Sequence, residues 1–320
     1  MPKMLAPETG SFIDSEPYID LLIDLSHVYG FSHHLYDDGD MAYNKPDSYL
    51  TDMQSYAADY GSQKPLYMTE YAQNPTYDDA IYTAWHIHNC MVYERVRAYF
   101  YWSLFSYSST DGVVVLDSNS TYIIRPAYYA LKHYSCFTDP NWYVADVNAN
   151  SSDLRITAFR NPGDTNAAIV IVNVSKTNDA SLSLSLEHFT TLSSEVYQTR
   201  TDANWVSLGA FNPSQSLLCP KWSITTIHLV GPSTCADVLA HGYGFASDIY
   251  GPAGQSDCYV NFWDVYQMAQ EWLKNDCAAH EDCYGADFHP EDGKVNFIDF
   301  SLFAPQWKQC NNPQDPNCTP

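Results

Sequence analysis

The run PLYMTEY, residues 65–71, is apolar until a single carboxylate, Glu70, followed by Tyr71. In a chain that alternates strands with helices, the C-terminal strand ends are where functional groups collect. Glu70 could instead cap the helix that follows, or pair with an arginine. Its neighbours favour chemistry. His34 and Tyr36 end the preceding apolar run, and Trp102 ends the next one. A carboxylate among His, Tyr and Trp suits a sugar. Aromatic faces stack on the ring, one carboxylate attacks the anomeric carbon, and a second carboxyl protonates the leaving oxygen. Glu70 is therefore the candidate nucleophile, and His34, Tyr36, Tyr71 and Trp102 are the candidates for holding substrate.

These residues need a frame. KMLAPET (3–9), VYGFSHHLY (28–36), PLYMTEY (65–71) and RAYFYWSLF (97–105) read as strands. PYIDLLIDLS (17–26), YLTDMQSYAADYG (49–61) and DDAIYTAWHIHNCMVYERV (78–96) read as amphipathic helices between them. That order predicts parallel β/α units over residues 1–132. Four such units are half of an eight-stranded barrel, and half a barrel leaves two sheet edges unpaired. From 133 to 230 the pattern changes to period two, as in DLRITAFR, AAIVIVNVS, SLSLSLE and SITTIHLV, which predicts an antiparallel β-sandwich. Residues 231–247 read as a linker.

Residues 248–320 contain a repeat. Asp257, Asn261, Asp264 and Trp272 recur 35 positions later as Asp292, Asn296, Asp299 and Trp307. Calcium loops need oxygen ligands at alternate positions, a sharp turn and a final acid entering a helix. The second copy offers Asp287, Asp292, Gly293, Asn296 and Asp299. The first offers Asp248, Asp257, Asn261 and Asp264, with Cys258 at the turn and a longer loop. From 248 to 318 there are 12 acidic residues against 3 basic ones. The simpler alternative is a solvated acidic loop stapled by disulfides. His86 and His88 lie two apart on a helix and so point apart, which suits packing better than zinc.

The 320 residues carry a formal net charge of -23. Nucleic acid and anionic membrane would both repel such a chain. No apolar stretch is long enough for a membrane span. Six of nine cysteines fall between Cys235 and Cys318, which predicts disulfides and a secreted or extracellular protein. The start, MPKMLAPETG, lacks a signal-peptide pattern, so an upstream segment is expected.

Two resemblances follow from the quoted residues. KMLAPET, HLY, LYMTEY, HIHNCMV, RAYFYWSLF and DGVVVLDSNSTYIIRPAYYALKHYSCF resemble the second half of a glycoside hydrolase family 30 catalytic domain, continuing through the sandwich to about residue 230. The resemblance implies the last four strands of a (β/α)8 barrel and a retaining enzyme acting on a β-linked polysaccharide such as xylan or a β-glucan. It implies Glu70 as nucleophile on the seventh strand, Trp102 on the eighth, and His34-Leu35-Tyr36 lining the sixth. The family's acid/base glutamate lies on the fourth strand in an Asn-Glu-Pro type motif, which this chain lacks. Glu8, on the fifth strand, is not the acid in that family. Glucuronoxylan-specific members place an arginine just after the eighth strand, where this chain reads WSLFSYSSTDG. Residues 246–318, with VNFIDF and CNNPQDPNC, resemble a cysteine-rich type I dockerin. This EF-hand-like module implies Ca2+ and a cohesin-like or cell-surface partner. A different class of reading is a non-catalytic binding or attachment protein anchored through that module.

Overall fold

The computed structural model describes residues 3–36, 39, 41–72, 76–107, 112–187, 189–212, 215–289, 292–315 and 317–318. The chain divides into two compact units. One is built from Met1–Asn161, Ala167–Ser185 and Ser194–His228, and the other from Pro162–Asn166, Leu186–Ser193 and Leu229–Pro320.

The first unit opens with β1 (Met4–Thr9), α1 (Phe12–Leu22), β2 (Val28–His34), α2 (Leu50–Tyr60), β3 (Leu66–Glu70) and α3 (Tyr77–Asn89). The three strands form a parallel sheet in the order β1-β2-β3. Ser11 caps α1 by accepting the Asp14 amide. The helix therefore starts five residues before the expected start at Pro17. Gly30 has a packing reason: a Cβ there would stand 2.6 Å from the Pro65 carbonyl and from the Tyr67 ring. Phe12, Phe31, Leu35, Met53, Tyr56, Leu66 and Met68 fill the core between the sheet and its helices.

Two expectations for this region need correction. The helix over 78–96 is not α-helical throughout: α3 passes into a π-turn, Cys90–Glu94, ended by Arg95 at φ +62°. The fourth strand is incomplete. Residues 97–102 run beside β3 through Arg97 N to Leu66 O, Phe100 N to Met68 O and Trp102 N to Tyr71 O, yet only one bridge, Met68 to Tyr99, is regular. Among the described residues this segment pairs on one side only, so half its ladder is missing. The chain then enters a small sheet of β4 (Phe105–Tyr107), β5 (Val114–Leu116) and β6 (Tyr122–Ile124), followed by α4 (Pro126–Ser135).

The period-two region gives β7 (Tyr143–Ala145), β8 (Leu154–Arg160), β9 (Asn166–Asn173), β10 (Ala180–Leu182), β11 (Ser193–Arg200), β12 (Ala203–Gly209), β13 (Leu217–Cys219) and β14 (Ser223–Val230). Six of them form one sheet in the order β12-β11-β14-β9-β8-β7, while β10 and β13 form an antiparallel ribbon. SLSLSL supplies only a short strand to that ribbon. β9 is buried along nearly its whole length, and on one face of the sheet α3 and α4 provide the cover. Ala80, Ala84, Ile87, Ala130 and Tyr134 pack there with Val170, Val172 and Ile224.

The second unit holds three disulfides, Cys235–Cys258, Cys277–Cys283 and Cys310–Cys318. Its repeat folds with reciprocal contacts. Leu273 N bonds Val295 O and Val295 N bonds Lys274 O, and the same bonds recur 35 residues away as Lys308 N to Val260 O and Val260 N to Gln309 O. Trp272 packs edge-on against Phe297, and Trp307 against Phe262. Among the described residues, no helix is long and apolar enough to cross a membrane.

Candidate active site

The C-terminal ends of the three parallel strands bring five side chains together. β3 ends on Glu70, whose side chain is 26% exposed. The Leu35 amide bonds the Glu70 carbonyl at 3.2 Å, which holds the end of β2 in step with the end of β3. Tyr36 then lies beside Glu70, and its hydroxyl donates to Oε1 at 2.8 Å. His34 Nε2 stands 3.8 Å from Glu70 Oε2 and 3.2 Å from Glu8 Oε2. Thr69 donates its hydroxyl to the same Glu8 oxygen at 2.7 Å. Trp102, 54% exposed, follows the segment beside β3, with its amide on the Tyr71 carbonyl at 2.7 Å. A glutamate oriented by a tyrosine, with an exposed indole nearby, can act as a nucleophile toward a ring that stacks on the indole.

Tyr71 does not belong to this group. It is fully buried, and its ring packs on His86 at 4.9 Å and Tyr101 at 6.0 Å. Successive residues of an extended chain point to opposite sides, so with Glu70 at the rim, Tyr71 enters the core. Glu8 is the member whose place at the rim the sequence did not reveal. The only available signal was an acid following proline at the end of the first strand.

Other candidates are packing residues. His86 Nε2 bonds the Tyr43 carbonyl at 2.9 Å and His88 Nδ1 bonds Thr157 Oγ1 at 2.8 Å. Burial lowers their pKa values to about 4 and about 3, so both stay neutral. His33 differs. Burial opposes its charge, but the Glu94 carboxylate at 2.6 Å outweighs burial and raises its pKa. The π-turn delivers Glu94 to this pairing. An apolar recess of about 540 Å³ lies away from the rim, between residues 98–104, α3 and α4, with Tyr99, Leu131 and Phe159 in its wall. Glu70 is not part of it.

With this geometry in view, the solved structures are informative. A GH30 endoxylanase from Clostridium papyrosolvens C71 is similar at TM-score 0.54 and 21% identity, over 72% of this chain and 56% of its own. The catalytic domain of GH30 xylanase C from Talaromyces cellulolyticus is similar at TM-score 0.56 and 16% identity, over 71% and 52%. A conserved exported protein from Bacteroides fragilis is similar at TM-score 0.58 and 16% identity, over 71% and 55%. The chain shares their fold. It spans about half the length of each. No family model and no curated protein matches. Glu70 and its neighbours thus sit at the strand ends of a fold found in glycoside hydrolases.

In the second unit the repeated acids close their loops alike. Asp264 accepts the amides of Ile249, Tyr250 and Asn261, and Asp299 accepts those of His289 and Asn296. Asn261 and Asn296 cap the helices that follow, each in a reciprocal capping box. Cys258 and Gly293, 35 residues apart, share a left-handed backbone at φ +68° and +65°. The loops differ in their first acid. Asp248 spends both oxygens on the amides of Asp257 and Cys258. Asp287 is 5% exposed, and among the described residues neither of its oxygens has a well-formed hydrogen bond. Burial, then the charges of Asp299, Asp292 and Asp282, raise its pKa, and the His289 amide is the weakest influence on it. A buried carboxyl with unused oxygens beside other carboxylates fits a hard cation. Among the described residues, the one trio of metal-type side chains within 4.8 Å is Cys310, Asp315 and Cys318, whose thiols are spent in a disulfide.

Proposed function

We propose that the first unit is the nucleophile-bearing part of a retaining glycoside hydrolase acting on a β-linked polysaccharide, with xylan the first substrate to try. The observation that carries this reading is the Tyr36–Glu70 hydrogen bond at the strand ends of a glycosidase fold. Glu70 attacks the anomeric carbon. Trp102 and His34 hold the sugar. The absence of an arginine in WSLFSYSSTDG favours a neutral glycan over one read through its glucuronate. The reaction needs a second carboxyl, and the resemblance assigns that role to no residue of this chain. The test is covalent labelling by a 2-deoxy-2-fluoro-xylobiosyl fluoride, which traps a glycosyl–enzyme. A stoichiometric adduct on Glu70, absent in Glu70→Gln, supports the reading. An adduct elsewhere, or none with any β-glycosyl fluoride, defeats it.

For the second unit we propose a dockerin-like calcium module that attaches the protein to a cohesin-like or cell-surface partner outside the cell. Asp287, Asp292, Asn296 and Asp299 would hold one ion, and Asp248, Asp257, Asn261 and Asp264 a second. The three disulfides suit an extracellular setting. A purely attaching, non-catalytic protein is the second reading. It draws support from exposed Phe262 and Trp263 on one helix and Phe297 and Ile298 at the matching places on the other. Saturable partner binding that persists in Glu70→Gln and vanishes on chelation would favour attachment. Binding indifferent to calcium would remove it.

A further inference from the structure

The end of β2 is held from beneath by a buried pair that the proposed chemistry does not use. His34 stands at the rim, while His33, one residue earlier, is fully buried. The His33 ring turns back on its own strand, with Nδ1 2.9 Å from the His34 carbonyl and Nε2 2.6 Å from Glu94 Oε1. Both facing atoms are acceptors, and a neutral imidazole has one N–H. The two contacts therefore need two protons, one on Nδ1 for the carbonyl and one shared between Nε2 and Glu94. The same peptide unit is gripped on its other side, because the Leu35 amide bonds the Glu70 carbonyl at 3.2 Å. One residue on, Tyr36 places its hydroxyl on Glu70 Oε1. A single chain of hydrogen bonds thus runs from Glu94 in the core, through His33 and the His34–Leu35 peptide, to the end of β3. Glu94 reaches it from the π-turn, a feature that recurs at functional sites.

The other groups around His33 come from four elements. α1 contributes the Phe12 ring at 4.1 Å, and α2 the Tyr56 ring at 5.4 Å, whose hydroxyl burial keeps protonated. β3 sets the Thr69 hydroxyl on the His33 carbonyl. The pairing of β1 with β2 slips between Pro7 and Thr9, and that bulge carries Glu8. Beside Glu94 in the π-turn lies the Cys90 thiol, pushed up by burial and then by Glu94. Burial opposes a charge on His33, and the charges of Glu94 and, last, Glu8 favour it.

Resting on Glu70 as nucleophile, we propose that His33 and Glu94 are positioning residues whose shared proton sets the upper pH limit of attack by Glu70. With that proton present, Nδ1–H holds the His34 carbonyl, and the peptide keeps Tyr36 on Glu70. When the proton leaves for solvent, Glu94 keeps the remaining N–H at Nε2, because a charged acceptor outcompetes a carbonyl. The Nδ1 lone pair then faces the carbonyl oxygen and repels it. The peptide turns away, and Tyr36 and the end of β3 lose their fixed places. A misplacement of about 1 Å can cost about 10²-fold in rate. In Glu94→Gln the side-chain amide donates to Nε2, so neutral His33 keeps its proton on Nδ1 and the grip no longer titrates.

The experiment follows the rate at which 2-deoxy-2-fluoro-xylobiosyl fluoride labels Glu70 in the full chain from pH 6 to 9, beside the nitrogen-15 shifts of the imidazoles. The parent rate should fall about 10–100-fold, with a midpoint above the ordinary histidine value and equal to that of the His33 imidazole. Glu94→Gln, shown to be folded by urea unfolding, should show no such fall, whatever its rate at pH 6. A purely structural pair would lower stability in Glu94→Gln and leave the shape of the profile as in the parent, which would overturn the proposal. A parent rate that stays flat to pH 9, or a fall that tracks the His34 imidazole instead, would overturn it too. Should Glu94→Gln not fold, the match of the two midpoints in the parent decides. Absence of label on Glu70 at every pH would instead overturn the reading on which the proposal rests, and the proposal with it.

Discussion

At the scale of single residues, the site turns on two hydrogen bonds to carboxylates, one at the rim and one in the core. The Tyr36 hydroxyl fixes one oxygen of Glu70, and on the proposed reading the other attacks. A hydrogen bond to a charged group contributes about 1.5–3 kcal/mol. Tyr36→Phe should therefore lower stability by no more than about 1.5–3 kcal/mol and, by freeing the carboxylate to turn, slow the labelling of Glu70 by roughly 10–100-fold, as read by urea unfolding beside labelling rate. In the core, His33 and Glu94 are both fully buried at 2.6 Å. Removing one partner of such a pair costs about 3–5 kcal/mol, so Glu94→Ala should be severely destabilised. The pair also carries a pH signature. The pKa of His33 is raised in the fold, so its contribution is complete below the ordinary histidine value and is lost as pH rises through the folded one. The urea midpoint of the parent should fall from pH 5.5 to 8.5 by more than that of Glu94→Gln. Equal slopes would show that the imidazole is not charged.

At the scale of elements, what could be read from the sequence depended on how local its cause was. β1, β2 and β3 follow from short apolar runs, and the rim positions of Glu70 and Trp102 follow from where those runs end. The bulge at Glu8 and the π-turn before Arg95 have no pattern of their own. One accompanies the pairing of β1 with β2 and the other the contact of Glu94 with His33, and both partners lie far along the chain. β9 reads as a period-two strand, yet it is buried along nearly its whole length, one face beneath α3 and α4. The acidic loops of the repeat lay between these cases. Their spacing was legible, but the contrast between Asp248, spent on amides, and Asp287, left with unused oxygens, was not. That contrast supports a measurement. Burial raises Asp248 to about 6 from 3.8, and burial with neighbouring charge raises Asp287. Acids raised in the fold bind more protons folded than unfolded. The metal-free second unit should therefore lose stability as pH climbs from about 4 to about 6. Calcium should restore it at pH 7 and do little at pH 4.5, where protons hold the ligands. Asp287→Asn should remove most of the calcium response while raising the metal-free melting temperature at pH 7. A calcium response unchanged by Asp287→Asn would take the ion away from the second loop.

For the molecule as a whole, charge and exposed apolar surface oppose each other. One sheet edge is β1, where Met4 is 48% exposed. Along the other, Phe100, Trp102 and Leu104 are 50, 54 and 72% exposed. The small sheet adds an apolar face, because its register aligns Phe105 with Val114 and Ile124, and Tyr107 with Leu116 and Tyr122. Tyr107 and Tyr122 are 72 and 69% exposed. Unpaired edges beside apolar side chains are templates for association. The net charge of -23 works against it, since every copy repels every other. That repulsion acts over the Debye length, about 30 Å at 0.01 M salt and about 3 Å at 1 M. Association should accordingly be governed by salt and pH. Light scattering should show monomers at pH 8 in 0.01 M salt, and growing assemblies at 1 M salt or as pH approaches the sequence pI of about 4.5. The pair Phe100→Lys and Leu104→Lys should blunt the salt response at pH 8, because it adds a desolvation cost at the edge itself and removes only a little of the net charge. If that pair associates as readily as the parent, the contact lies elsewhere. If the parent stays monomeric at 1 M salt, these edges are not open to a second chain.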